Sequence, residues 1–279
     1  MSKREKIGLG VLIIMTLLAG VIGLGIDSII VGQPKGNSFG IGFWIIAPLL
    51  TGVIIRIINK DWVGFGIKPR IKSNLGWYVM AILAFPILTV IVILIGVICG
   101  VITLGEIHFG VIISLFISSF IGSFIKNIFE EFAWRGNLVP FLERTKMNDL
   151  GLYLCVGVIW AGWHIPYYMY FLPNSIFVET TREMTAIIGC ITVILITPLF
   201  VELYRITHSV WPGLILHAMT NVVENIILAQ PKMMHIAGQG NFIFNPVSGV
   251  LMMVFMFAIG IGLRFYRAAK ENKAIEVAI

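Results

Sequence analysis

The sequence predicts an all-α, polytopic membrane helical bundle of about eight transmembrane helices with both termini in the cytoplasm. Hydrophobic residues fill 58% of the 279 positions, charged residues only 12%, and mean hydropathy is +0.96. A soluble domain carries about twice that charge and far less apolar surface. The apolar runs are long enough to span a bilayer, and the basic residues are sorted between the loops they would leave on either side. No polar stretch reaches the roughly 50 residues that a separate soluble domain needs, so residues 1–279 are expected to form one membrane domain.

A hydrocarbon core about 30 Å thick is crossed by roughly 20 apolar residues of helix. Spans are predicted at about 8–31, 39–58, 75–104, 109–142, 150–172, 185–205, 209–230 and 246–266. The first follows a basic start (Lys3, Arg4, Lys6) and runs far beyond a signal-peptide core of about 7 to 15 residues, so it reads as an uncleaved span closed by Gly32 and Pro34. The third contains ILTVIVILIGVICGVITL, which has no alternating pattern and argues against a β-barrel. Asn148 and Asp149 precede the fifth span and Pro231 follows the seventh, as helix-end residues should. No internal repeat is visible, so the inverted halves of many transporters are not expected.

Of the 20 lysines and arginines, Lys35, Arg182 and Lys232 fall in outer loops and Lys126 and Arg135 inside the fourth span. The other fifteen gather on the side of the N-terminus, which the positive-inside rule makes the cytoplasm. The net charge of +6 is therefore a product of topology, and no nucleic-acid partner is expected. Cys99, Cys155 and Cys190 sit singly in apolar runs, which indicates neither a disulfide framework nor a thiolate metal site.

Ionised side chains at mid-helix cost about 2.5 to 3.5 kcal/mol on insertion scales and so need a partner or a task. The fourth span holds four in the string KNIFEEFAWRGNLVPFL: Lys126, Glu130, Glu131 and Arg135. They form two i, i+4 pairs, Lys126 with Glu130 and Glu131 with Arg135, which an ordinary amphipathic segment also shows. Adjacent glutamates point about 100° apart. Glu131 is thus expected to hold Arg135 while Glu130 acts on water, although Lys126 would lower the basicity of Glu130 by keeping it ionised. The fifth span places His164 among aromatics in WAGWHIPYYMY, where Pro166 removes a backbone donor to Gly162. The seventh places His217 and Asn221 on one helical face. Taken alone, a buried histidine is more often a satisfied core residue, and a polar pair can simply join helices.

Depth separates these readings. At 1.5 Å of rise per residue, Glu130 lies roughly 18 Å from its cytoplasmic helix end, His164 roughly 21 Å, and His217 and Asn221 roughly 12 and 18 Å. Core filling does not predict that three helices carry such groups at similar depth.

The residues Glu130, Glu131 and Arg135 (EExxxR), Trp160 with His164 (WxxxH), and His217 with Asn221 (HxxxN), in that order, resemble the CPBP intramembrane proteases. That family includes the type II prenyl CAAX endopeptidases and bacterial immunity-related homologues. Trp160 stands where phenylalanine is common, and the likeness covers about 125–225. The resemblance implies an eight-helix bundle with a cavity open to the cytoplasm, in which Glu130 and His164 activate water. His217 and Asn221 then stabilise the oxyanion, with Arg135 held by Glu131. It also implies a prenylated protein or peptide C-terminus as substrate, cleaved to release its last three residues, and the lipid bilayer as surroundings. The membrane would be the cell membrane in a prokaryote and the endoplasmic reticulum in a eukaryote.

No cofactor is expected. Two histidines and a carboxylate could ligate zinc, but no HExxH motif is present and Asn221 suits an oxyanion role better. A proton-coupled transporter would spread its charges over many depths, and a non-catalytic scaffold would keep the cluster only for helix contact. The YYMYF run after His164 is expected at the membrane interface. Lys126 has no place in the family pattern.

Overall fold

Inside hydrocarbon every backbone N–H and C=O must be satisfied within the chain, which favours helix throughout. In the computed structural model 78% of the residues are helical. The structure describes residues 1–34, 36–174, 177, 180–238 and 240–278, with side chains described as far as 273. Lys35, one of the three outer-loop cations, lies outside the described residues.

The elements are α1 (Lys3–Ile29), α2 (Phe39–Asn59), α3 (Ile71–Ile98), β1 (Ile102–Leu104), α4 (Phe109–Ala133) and α5 (Val139–Glu143), followed by α6 (Asp149–Pro166), α7 (Arg182–Thr207), α8 (Trp211–Ala229), β2 (Met234–Ile236), α9 (Gly240–Phe244) and α10 (Val250–Ala278). Two π-helical turns interrupt the pattern, Trp134–Leu138 between α4 and α5 and Tyr167–Phe171 after α6. Among the described residues eight helical stretches are long and apolar enough to cross a membrane, as the composition predicts. The third span was drawn to 104. The helix instead ends at Ile98, because Gly100 adopts φ +71°, and residues 102–104 pair antiparallel with 234–236, Thr103 opposite His235. The fourth span is likewise not one uniform helix, and the last continues past 266.

The residues gather into two compact units, 1–66 with 129–197, and 67–128 with 198–279. In the first, α1 and α2 meet where Gly23 lies against the carbonyl of Gly40, and Gly20 lies against the ring of Pro166 in α6. Side chains at these glycines would hold the helices apart. Ser2 and Glu5 form a reciprocal cap at the start of α1, and the Asn148 side chain accepts from Gly151 N–H at the start of α6.

A buried arginine fastens α2 to the first π turn. Pro140 has no N–H to offer the carbonyl of Gly136 four residues earlier. Arg56 Nη2 donates to that carbonyl instead at 2.6 Å, while its Nε reaches Asn137 Oδ1 at 2.6 Å and its Nη1 the carbonyls of Asp61 and Val63. The guanidinium also lies over the Phe65 and Phe141 rings. Gly52, one turn before Arg56, leaves room for Asn137.

In the second unit, Glu202 on α7 holds Arg267 on α10 through Nε and Nη2 at 2.6 and 3.2 Å, and also takes Arg205 at 2.9 Å. Asn74 on α3 donates to the carbonyl of Thr207, which ties α3 to the end of α7.

Two outcomes are expected. Arg56→Met leaves two buried and two part-buried acceptors without their donor, so it should destabilise the protein by about 3 to 5 kcal/mol, read as a lower thermal midpoint in detergent. The second concerns the loop after α2, where Asp61 pairs with Arg144, which also binds Glu5 at 2.8 Å. Burial opposes ionisation of Asp61, but the Arg144 hydrogen bond and the Val63 N–H outweigh it and hold the carboxyl below its usual range. Because the folded value is depressed, the pair's stabilisation is complete above about pH 3.9 and fades as pH falls below that. Asp61→Asn should therefore flatten the dependence of the thermal midpoint on pH in that acid window, and an unchanged profile would show that the pair contributes nothing.

Candidate active site

From Glu130 to Leu142 every residue is buried, whereas the preceding turns of α4 expose Ile113, Ile117, Ile121 and Ile125 as a lipid-facing helix does. This buried stretch carries the first motif. Glu131 and Arg135, both 0% exposed, form an ion pair at 3.0 Å across the helix-to-π junction. The expectation that Glu131 holds Arg135 is met in geometry. The division between the two glutamates is less complete than helical phase suggests, because the charge of Arg135 also acts on Glu130.

Arg135 reaches the second motif through an aromatic face. Its guanidinium lies 4.3 Å from the Trp160 ring centre, a contact a cation makes with the negative face of an indole. The Trp160 carbonyl lies 3.0 Å from His164 Nδ1. A carbonyl can only accept, so Nδ1 is the donor in that bond. Tryptophan in place of phenylalanine thus gives Arg135 a larger surface one turn before the histidine.

The imidazole is set among rings. Trp163 stands edge-on at 4.8 Å, Tyr168 is stacked at 5.8 Å, and Trp44 and Tyr167 lie at 6.2 and 6.5 Å. Two of the tyrosines expected at the membrane interface therefore belong to the surroundings of His164. They are placed there because α6 passes into a π turn directly after Pro166, which changes the side-chain phase. Arg182, at the start of α7, donates to the carbonyls of Tyr168, Met169 and Leu172 and so secures that turn. Tyr170 is exposed.

Trp44 was not marked by the sequence. It stacks on Trp163 at 3.9 Å and 14°, and the two indoles each donate to the other's backbone carbonyl, at 2.9 and 3.1 Å. Its only signal in the sequence is a tryptophan in the middle of an apolar span.

In the second unit, α8 carries the third motif. His217 is buried and meets the Phe200 ring edge to face at 5.8 Å. Asn221 Nδ2 donates to Asn127 Oδ1 on α4 at 3.3 Å. Glu224, one turn further, lies within electrostatic reach of both Lys126 and His217. Lys126, for which the motifs have no role, thus lies within electrostatic reach of a carboxylate distant in sequence. The structure brings Glu130, Glu131, Arg135 and His164 into one unit and His217 and Asn221 into the other. Among the described residues no group of three or more His, Cys, Asp or Glu is placed to hold a metal ion.

Residues 112–223 match the family described as Type II CAAX prenyl endopeptidase Rce1-like. A second match, residues 43–62 to Toxin Fst of a type I toxin–antitoxin system, covers little more than the apolar span α2. No curated protein matches the chain.

Glu131→Gln should lower the thermal midpoint by the equivalent of about 3 to 5 kcal/mol, because it leaves the Arg135 charge buried beside a neutral amide. A midpoint within error of the unmutated protein would show that the pair is not what anchors this turn.

Proposed function

Because the chain is a multi-pass membrane protein carrying at residues 112–223 the Rce1-like family of type II CAAX prenyl endopeptidases, an intramembrane protease family, we propose that it removes the C-terminal tripeptide from isoprenylated proteins. The family match supports the reaction class. The mechanism rests most on one observation: His164 is held by Nδ1 on the Trp160 carbonyl, so that Nε2 is the nitrogen presented for chemistry.

In the proposed reaction a water donates one hydrogen bond to the Glu130 carboxylate and one to His164 Nε2. As the water oxygen attacks the carbonyl carbon after the prenylated cysteine, Glu130 takes its proton. The oxyanion accepts hydrogen bonds from His217 and from Asn221 Nδ2, donors which in a dry site are worth about 3 to 4 kcal/mol. The C–N bond then breaks and Glu130 returns the proton to the leaving amine. Glu131 and Arg135 hold the helix turn on which Glu130 stands. No cofactor takes part in this scheme. The prenyl chain supplies binding energy by remaining in the bilayer, at about 0.8 kcal/mol per buried methylene. The basic loops support a cytoplasmic position for both termini, and the access route is proposed on that same side.

The test is cleavage of a fluorescent farnesylated peptide by the purified protein in lipid vesicles. Glu130→Gln should lower kcat by about 100- to 10,000-fold with an unchanged thermal midpoint, and strong chelation should leave the unmutated rate unaltered. Full activity in Glu130→Gln would assign the base elsewhere, and loss on chelation restored by zinc would replace the scheme with a metal-dependent one. Ion flux without cleavage would make the protein a transporter.

A further inference from the structure

Asn127 belongs to none of the three motifs. It is 0% exposed in a membrane-spanning helix, one turn before Glu130 and Glu131, and its Oδ1 accepts from Asn221 Nδ2 at 3.3 Å. Its own Nδ2 is buried with no hydrogen-bond partner among the described residues. A buried amide left half-satisfied costs about 1 to 3 kcal/mol, and more where no water can help. An asparagine kept only to join helices would use both ends of its amide, as paired polar groups between membrane helices do. The end that is used here is the end that fixes Asn221.

An amide nitrogen has two N–H donors. Anchoring one of them on Asn127 Oδ1 settles which end of the Asn221 amide is nitrogen and which way its plane lies. The second N–H then has one direction left to it. We propose that Asn127 is a positioning residue for Asn221, holding its amide so that the remaining N–H donates to the oxyanion formed during peptide hydrolysis. This role rests on the reaction proposed above. A donor acts in proportion to how well it is aimed before charge develops. Loss of the anchor should therefore appear in the chemical step and leave substrate binding nearly as it was. Lys126 on α4 and Glu224 on α8 lie within electrostatic reach of one another.

The test compares Asn127→Leu, Asn127→Asp, Asn221→Ala and the double variant Asn127→Leu/Asn221→Ala on the farnesylated peptide. Asn127→Leu should lower kcat by about 10- to 100-fold, with KM within about 2-fold of the unmutated value. Asn127→Asp keeps an acceptor oxygen for Asn221 Nδ2 and replaces the partnerless amide nitrogen by a second carboxyl oxygen, so it should recover kcat to within about 3-fold. The double variant should be no slower than Asn221→Ala alone, since Asn127 acts through Asn221. An unmutated kcat in Asn127→Leu, an Asp variant no better than Leu, or losses that multiply in the double variant would each overturn the role while leaving the protease assignment intact. An unmutated protein that cleaves nothing would overturn the assignment itself, and this role with it. A Leu variant that does not fold leaves the comparison of Asn127→Asp with the unmutated protein to decide, and a loss above about 10-fold there counts against the role.

Discussion

A charge carried into hydrocarbon has no water to turn to, so it must meet its partners inside the chain or not be there. Three buried arginines show how this protein meets that demand. Arg56 binds three backbone carbonyls and an asparagine oxygen, Arg135 binds Glu131 and lies on Trp160, and Arg267 binds Glu202 through two nitrogens. Each guanidinium has five N–H donors in a fixed plane, so each fixes several chain segments at once. The helix ends that carry the motif residues are positioned by these few cations, since apolar contact alone gives helices in lipid little reason to stop at one register.

The two π turns follow from the same demand. A π turn releases backbone carbonyls from the regular ladder and shifts the phase of the side chains after it. Both turns here adjoin a proline and a motif. Trp134–Leu138 contains Arg135 and precedes Pro140, and Tyr167–Phe171 follows His164 and Pro166. In each case an arginine from another helix takes the released carbonyls: Arg56 at Gly136, Arg182 at Tyr168 and Met169. An irregular backbone at these two places is thus satisfied by cations, which is why the proteins of a bilayer can hold such turns only where they are enclosed. The shift of phase brings Tyr167 and Tyr168 around the imidazole and lets Asn137 turn back toward α2.

Much of this was legible in the sequence, because a span is a local property. Eight apolar stretches, the Asn148 cap and the Glu131–Arg135 pair each lie within a few residues of chain, and helical geometry alone predicts them. What was misread depends on partners far away. Residues 102–104 read as the end of a span because nothing nearby shows that 234–236 will pair with them. Lys126 lies within electrostatic reach of Glu224, 98 positions on, a neighbour that no local pattern shows. Trp44, Arg56 and Asn127 were passed over for the same reason, since their neighbours are Trp163, Gly136 and Asn221. The phase argument for the glutamates gave the Glu131–Arg135 pair, because residues four apart lie on one helical face.

That last point bears on how two adjacent carboxylates come to differ. Glu131 has a guanidinium at hydrogen-bond distance and stands where no solvent reaches it, so giving it a proton would break a buried ion pair. Glu130 experiences the same cation electrostatically. In the proposed reaction Glu130 is the base, and a base must exchange one hydrogen-bond partner for another when it takes a proton from water and returns it to an amine. In that proposed reaction the pair EE in one helical turn divides two tasks, one glutamate anchoring and the other reacting, and the arginine four residues after the second glutamate is the partner of the one that anchors.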